Sequence, residues 1–185
     1  MDCGGNTRKD LEYRVKGVLV SEEEAKEIVE RLGKQISKDY AGKNLVLVSV
    51  LKGAVVFMAD LMRAIDIPLS IDFMVVSSYN KTESTGTVKI IKDLDTDLTG
   101  KDILIVEDIL DTGRTLASLM EILKMRNPAS LKICTFLDKP DRRVSQIEAE
   151  YIGKVIPDEF VVGYGLDYDE AYRNLPYVGI YDPED

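Results

Sequence analysis

An α/β fold with a mainly parallel central sheet is predicted by three features of this chain. Residues 45–51, 103–106 and 131–137 are near-continuous apolar runs, as expected of strands buried on both faces. Apolar residues recur at helical spacing in the stretches before and between them. Each run also ends in a polar or glycine-bearing segment, Lys52-Gly53, Glu107-Asp108 and Asp138-Lys139. Open α/β sheets bind their ligands at such carboxyl ends.

Residues 1–10 form a polar tail, and Tyr13, Val15, Val18, Leu19 and Val20 mark a short extended piece. Ser21 with Glu24 has the spacing of a capping box. Ala25, Ile28, Val29, Leu32 and Ile36 then line one helical face that ends near Tyr40, with Gly42 just beyond. The run at 45–51 is a buried strand, followed through Lys52-Gly53 by an apolar helix over roughly residues 54–65. Pro68 breaks the chain before a strand carrying Ile71, Phe73, Val75 and Val76. Residues 77–86 are a polar loop, and Val88, Ile90 and Ile91 are its returning strand. Thr99-Gly100-Lys101 turns the chain into the strand at 103–106, which Glu107 and Asp108 close. Leu116, Leu119, Met120 and Leu123 start a helix near Arg114 that Asn127-Pro128 stops. The strand at 131–137 holds Cys134 as a small core residue. Residues 141–150 are charged and less regular, 151–156 form a strand or bulge, and 175–181 return to the sheet or a hood.

Composition narrows the chemistry. The 185 residues fit one domain, residues 1–185, and 45% hydrophobic with 31% charged content reads as globular and soluble. A net charge of −9 argues against a nucleic-acid binder and requires local cations or a metal for any polyanionic substrate. With no histidine, general-base work falls to carboxylates, Lys or Tyr. Cys3 and Cys134 give neither zinc-ligand spacing nor a disulfide framework, which fits a reducing cytoplasm. Residues 1–10 lack the apolar stretch of a signal peptide, and no run is long enough to span a bilayer. The Asn80-Lys81-Thr82 sequon is therefore read as chance. Neither a Walker-type phosphate loop nor a dinucleotide-binding glycine motif occurs.

The segment 103–116 carries the function. After the strand, Gly113 lets the backbone approach a ligand, while Thr112, Thr115 and the unpaired amides of a helix start cradle an anion. Glu107 and Asp108 can accept hydrogen bonds from sugar hydroxyls, and Asp111 between them and the turn can take a proton. The implied ligand is a ribose 5-phosphate. Val-Glu-Asp-Ile-Leu-Asp-Thr-Gly-Arg-Thr (106–115) resembles the phosphoribosyl-diphosphate (PRPP) motif of type I phosphoribosyltransferases, the hypoxanthine-guanine branch above all. The resemblance runs from about Val48 to Tyr181, with Arg114 standing where many relatives carry Lys.

That resemblance implies the type I fold, a small hood lobe formed by the N- and C-terminal segments, and transfer of a phosphoribosyl group from PRPP to hypoxanthine or guanine. IMP or GMP and pyrophosphate are the implied products. It implies that Glu107, Asp108, Asp111, Thr112, Gly113, Arg114 and Thr115 hold the ribose and its 5-phosphate, with Asp111 as base. Lys52-Gly53 and Arg173 would bind pyrophosphate, the former beside a cis Leu51–Lys52 peptide, and Ser78-Tyr79 would close as a lid. Lys139, otherwise read as a surface lysine, would donate to a 6-oxopurine, Phe160 would stack on the base, and the Val161 backbone would meet its edge. Asp167 would border the purine and hold Mg²⁺, with Glu107 and Asp108 as further metal carboxylates. A homodimer or homotetramer is implied as well. The rival readings are a PRPP- or nucleotide-sensing regulator of the same fold and a transferase that prefers xanthine.

Overall fold

The run that begins at Leu45 is buried because its alternate side chains serve two separate cores. Leu45 and Leu47 join one and Val46 and Val48 the other, and Leu104 and Val106 likewise oppose Ile103 and Ile105. The computed structural model describes residues 14–78 and 88–182. Chain order among them is β1 (Val15–Val20), α1 (Glu22–Asp39), β2 (Leu45–Val50), α2 (Val55–Ala64), β3 (Leu69–Ser78), β4 (Val88–Lys92), β5 (Asp102–Leu110), α3 (Arg114–Lys124), β6 (Ser130–Asp138), β7 (Tyr151–Val155), β8 (Val161–Val162) and β9 (Val178–Tyr181).

The main sheet runs β4-β3-β2-β5-β6-β7, parallel except for the antiparallel edge strand β4. Helices α1 and α2 cover one face through Ile28, Leu32, Phe57 and Leu61, and α3 covers the other through Leu116, Leu119 and Leu123. A second, three-stranded antiparallel sheet, β1-β9-β8, joins the two ends of the described chain.

Two local expectations change. The strand at 103–106 is not closed by its acids: Glu107 pairs with Thr135 and Leu110 with Asp138, so the parallel ladder carries β5 past both carboxylates. The capping box at α1 is half made. Ser21 Oγ accepts from the Glu24 amide at 3.1 Å, but the Glu24 carboxylate takes Lys154 Nζ at 2.6 Å.

Candidate active site

In this sheet β2 is followed by α2 and then β3 on one side, while β5 is followed by α3 and then β6 on the other. The carboxyl ends of the adjacent strands β2 and β5 therefore flank a topological switch point, where open α/β sheets place ligands. A cavity of about 360 Å³ opens there, lined by Lys52-Gly53, Glu107, Asp108 and the turn 111–115.

Gly113 sits at the N-cap of α3 with φ 75° and ψ 0°, a left-handed conformation that costs a side-chain-bearing residue energy. The amides of Asp111, Thr112 and Gly113 donate to no turn or loop carbonyl among the described residues, and the first intrahelical bond runs from Ala117 N to Gly113 O at 2.8 Å. Free amides at a helix start, with the positive end of its dipole, form an anion cradle.

Beside the cradle, Glu107 and Asp108 are half-buried. Desolvation, then repulsion from Asp108, pushes the Glu107 carboxyl well above its usual range. Desolvation also lifts Asp108 to about 6, against the opposing hydrogen bond from the Ile109 amide. Close backbone packing holds this acid in place. A Cβ on Gly53 would stand 1.8 Å from Asp108 Oδ2, and one on Gly165 would stand 2.1 Å from Gly53 O. Three consecutive layers, the 163–167 loop, the Lys52-Gly53 turn and Asp108, are thus packed without room for a methyl group. The Leu51–Lys52 peptide is cis.

These raised values have a consequence for stability. In the unfolded chain Asp108 ionises near pH 4, and in the folded chain at about 6, so the folded state holds more protons between those values. The stability contributed by the neutral form is complete below about pH 4 and is lost as pH rises to about 6. Asp108→Asn is therefore expected to raise the stability of the metal-free protein at pH 7.5 by about 2–3 kcal/mol, with the gain fading at about pH 4. Urea melts with a chelator at the two pH values check this. A variant less stable than the parent at pH 7.5 contradicts it.

The other residues expected at the site form a second wall outside the lining of this cavity. Lys139 is buried at 6% exposure; its amide donates to Leu110 O at 3.0 Å and its Nζ to Glu159 O. Phe160 is half exposed and meets Tyr168 edge to face, with ring centres 5.9 Å apart, and Val161 is buried in β8. Asp167 accepts from the Glu170 amide at 3.0 Å and pairs with Arg173 Nη2 at 2.8 Å. Arg173 Nη1 donates to Gly165 O at 2.8 Å, while its Nε is buried without a partner among the described residues. Asp167 and Arg173 both act electrostatically on Asp108, which brings this wall against the cavity. Among the described residues no three acids close into a metal cage. Ser78 ends β3, and Tyr79 lies outside the described residues.

Three charged residues of the site went unnoticed in the sequence. Glu170 pairs with Lys52 at 2.8 Å, and this contact lowers its carboxyl pKa. Arg142 Nε lies 3.2 Å from Asp111 Oδ1, although off a hydrogen-bond line, since that oxygen is buried and unbonded. Arg143 donates to the carbonyls of Leu110 and Asp111. For the two arginines the signal is the Arg142-Arg143 doublet, separated from the Asp138-Lys139 strand end by Pro140 and Asp141, in a segment that has no apolar period.

Residues 19–169 match the family model for the phosphoribosyl transferase domain. The chain belongs to that family. It is 60% identical to the hypoxanthine-guanine phosphoribosyltransferase of Staphylococcus aureus over 171 residues, covering 92% of this chain and 96% of the relative. A crystal structure of a hypoxanthine phosphoribosyltransferase from Staphylococcus aureus superposes with a TM-score of 0.93 at 57% identity, covering 97% of this chain and 98% of the other. A hypoxanthine phosphoribosyltransferase variant from Trypanosoma cruzi, in a ternary substrates complex, gives 0.89 at 39% identity, covering 93% and 98%. The mixed sheet with its separate three-stranded lobe is thus the type I phosphoribosyltransferase fold. No helix among the described residues is long and apolar enough to cross a membrane.

Proposed function

We propose that this phosphoribosyltransferase salvages purines, moving the 5-phosphoribosyl group of PRPP to N9 of hypoxanthine or guanine. IMP or GMP forms, and pyrophosphate leaves. The observation that carries this reading is the 360 Å³ cavity, in which a half-buried pair of carboxylates adjoins an amide-lined anion turn. Carboxylate oxygens accept hydrogen bonds, which the two ring hydroxyls of a ribose donate, while the turn matches its 5-phosphate. The names of the relatives support the same substrates.

In this reading Glu107 and Asp108 hold the ribose hydroxyls and orient C1′. The bond from C1′ to the diphosphate oxygen breaks as N9 bonds to C1′, and Asp111 takes the proton from N7. Lys52 and Arg173 receive the departing pyrophosphate, and Lys139, Phe160 and Val161 hold the base. Ser78 and Tyr79 close over the reacting atoms and exclude water.

The donor set suits Mg²⁺ brought in with the substrate rather than a resident ion. Hard carboxylate oxygens are present, but the described residues form no protein cage, and Mg²⁺ is ordinarily held by one or two carboxylates plus substrate phosphates. Asp167, Glu107 and Asp108 would supply those carboxylates, and the bound ion neutralises diphosphate charge so that it leaves more readily. Reducing cytoplasm is the compartment that two cysteines without a disulfide framework suit. A homodimer or homotetramer is the assembly proposed from the family.

A panel of free bases with PRPP and Mg²⁺, scored for nucleotide, tests the proposal. Turnover of hypoxanthine or guanine above adenine and xanthine is expected. Nucleotide binding without turnover of any base points instead to a sensor, and a preference for xanthine to the other transferase.

A further inference from the structure

We propose that Arg143 is a positioning residue that shapes the phosphate cradle from behind, without touching substrate. The inference rests on the phosphoribosyl transfer proposed above. The Arg143 side chain is only 14% exposed and commits each of its three nitrogens inward. Nε donates to Asp111 O at 2.9 Å, Nη1 to Ile147 O at 2.6 Å, and Nη2 to Leu110 O at 3.2 Å and to the Asp138 carboxylate. The following residues extend the brace. Val144 N and Ser145 N donate to Thr112 O at 3.1 and 3.3 Å, as does Ser145 Oγ at 3.3 Å.

Three successive carbonyls, those of Leu110, Asp111 and Thr112, are therefore drawn to one side. A planar trans peptide points its N–H opposite to its C=O. Anchoring these carbonyls turns the amides of Asp111, Thr112 and Gly113 the other way, toward the cavity that these residues line. The guanidinium fork suits this task because it reaches two neighbouring carbonyls and a carboxylate in one plane. A Cβ on Gly113 would stand 3.0 Å from Arg143 Cδ, so the turn rests directly on the arginine stem. Asp138 anchors the fork and precedes Lys139, which ties the phosphate turn to the strand that ends at the base. Preorganised amides bind an anion without the cost of ordering themselves on contact.

The readout is the share of affinity contributed by the 5-phosphate, taken as the dissociation constant of inosine divided by that of IMP. In Arg143→Met this ratio is expected to fall by about tenfold or more, the worth of one or two charge-assisted hydrogen bonds, while inosine itself binds within about threefold of the parent. Arg143→Lys, with one charged donor in place of a fork, is expected to lie between. Ser145→Ala, a mild change that spares the fold if Arg143→Met cannot be purified, is expected to lower the ratio about two- to threefold. A folded Arg143→Met with an unchanged ratio overturns the proposal, as does an equal loss for nucleoside and nucleotide, or an unchanged ratio in Ser145→Ala where that variant carries the test. If the parent protein itself does not distinguish IMP from inosine, the phosphoribosyl reading fails instead.

Discussion

Asp111→Asn is expected to lower the turnover number by about 10²–10⁴-fold, the usual worth of general-base assistance, while PRPP binds within about threefold of the parent. The two halves of that expectation come from different parts of the residue. Its backbone belongs to the phosphate cradle, with the carbonyl held by Arg143 Nε at 2.9 Å. In the proposed mechanism its carboxylate serves the chemistry, taking the N7 proton as N9 bonds to C1′. Asparagine keeps the backbone and the side-chain shape but cannot accept a proton. Arg142 lies near the same carboxylate, with Nε 3.2 Å from Oδ1, and asparagine weakens that contact as well. The pair is substantially exposed, at 48% and 39%, so its loss costs little stability. Steady-state kinetics and PRPP titration together decide the matter. A turnover number equal to the parent's removes Asp111 from the role of base, and loss of PRPP affinity without a kinetic defect makes it a binding residue only.

How far the sequence led depended on whether a residue's partners were local. Buried strands were legible because alternate residues of 45–48 and 103–106 both found a core, a demand that only apolar runs meet. The cradle was legible because a turn glycine, two threonines and a helix start are neighbours in sequence. Long-range partners were not legible. Nothing in residues 141–150 announces that Arg143 reaches back 33 positions to Leu110, because its partners are backbone carbonyls, which every residue has. Glu170 was overlooked for a related reason: its partner Lys52 is 118 residues away, and an exposed glutamate reads as a solvated one. Glu107 and Asp108 were recognised as acids at a strand end, but the length of β5 was underread. Apolar periodicity stops at Val106, whereas the ladder with β6 continues to Leu110.

Lys139→Met is expected to reduce kcat/KM for hypoxanthine and guanine by about 10–100-fold, with a much smaller effect on the KM for PRPP. That magnitude follows from the worth of a hydrogen bond to a charged group, about 1.5–3 kcal/mol, at about 1.4 kcal/mol per tenfold. Methionine preserves the apolar stem that packs in this buried position and removes only the ammonium. That ammonium donates to Glu159 O, one residue before Phe160, so it faces the segment proposed to hold the base. An ammonium has donors and no acceptor, so it favours the carbonyl of a 6-oxopurine and disfavours the 6-amino group of adenine. The discrimination between hypoxanthine and adenine must therefore narrow in the variant, and this separates recognition from bracing. If Lys139 only tied Glu159 in place, loosening the segment would weaken both bases alike and leave their ratio unchanged. Competition between the two bases in one reaction measures that ratio directly, and an unaltered value assigns Lys139 to structure rather than to recognition of the purine.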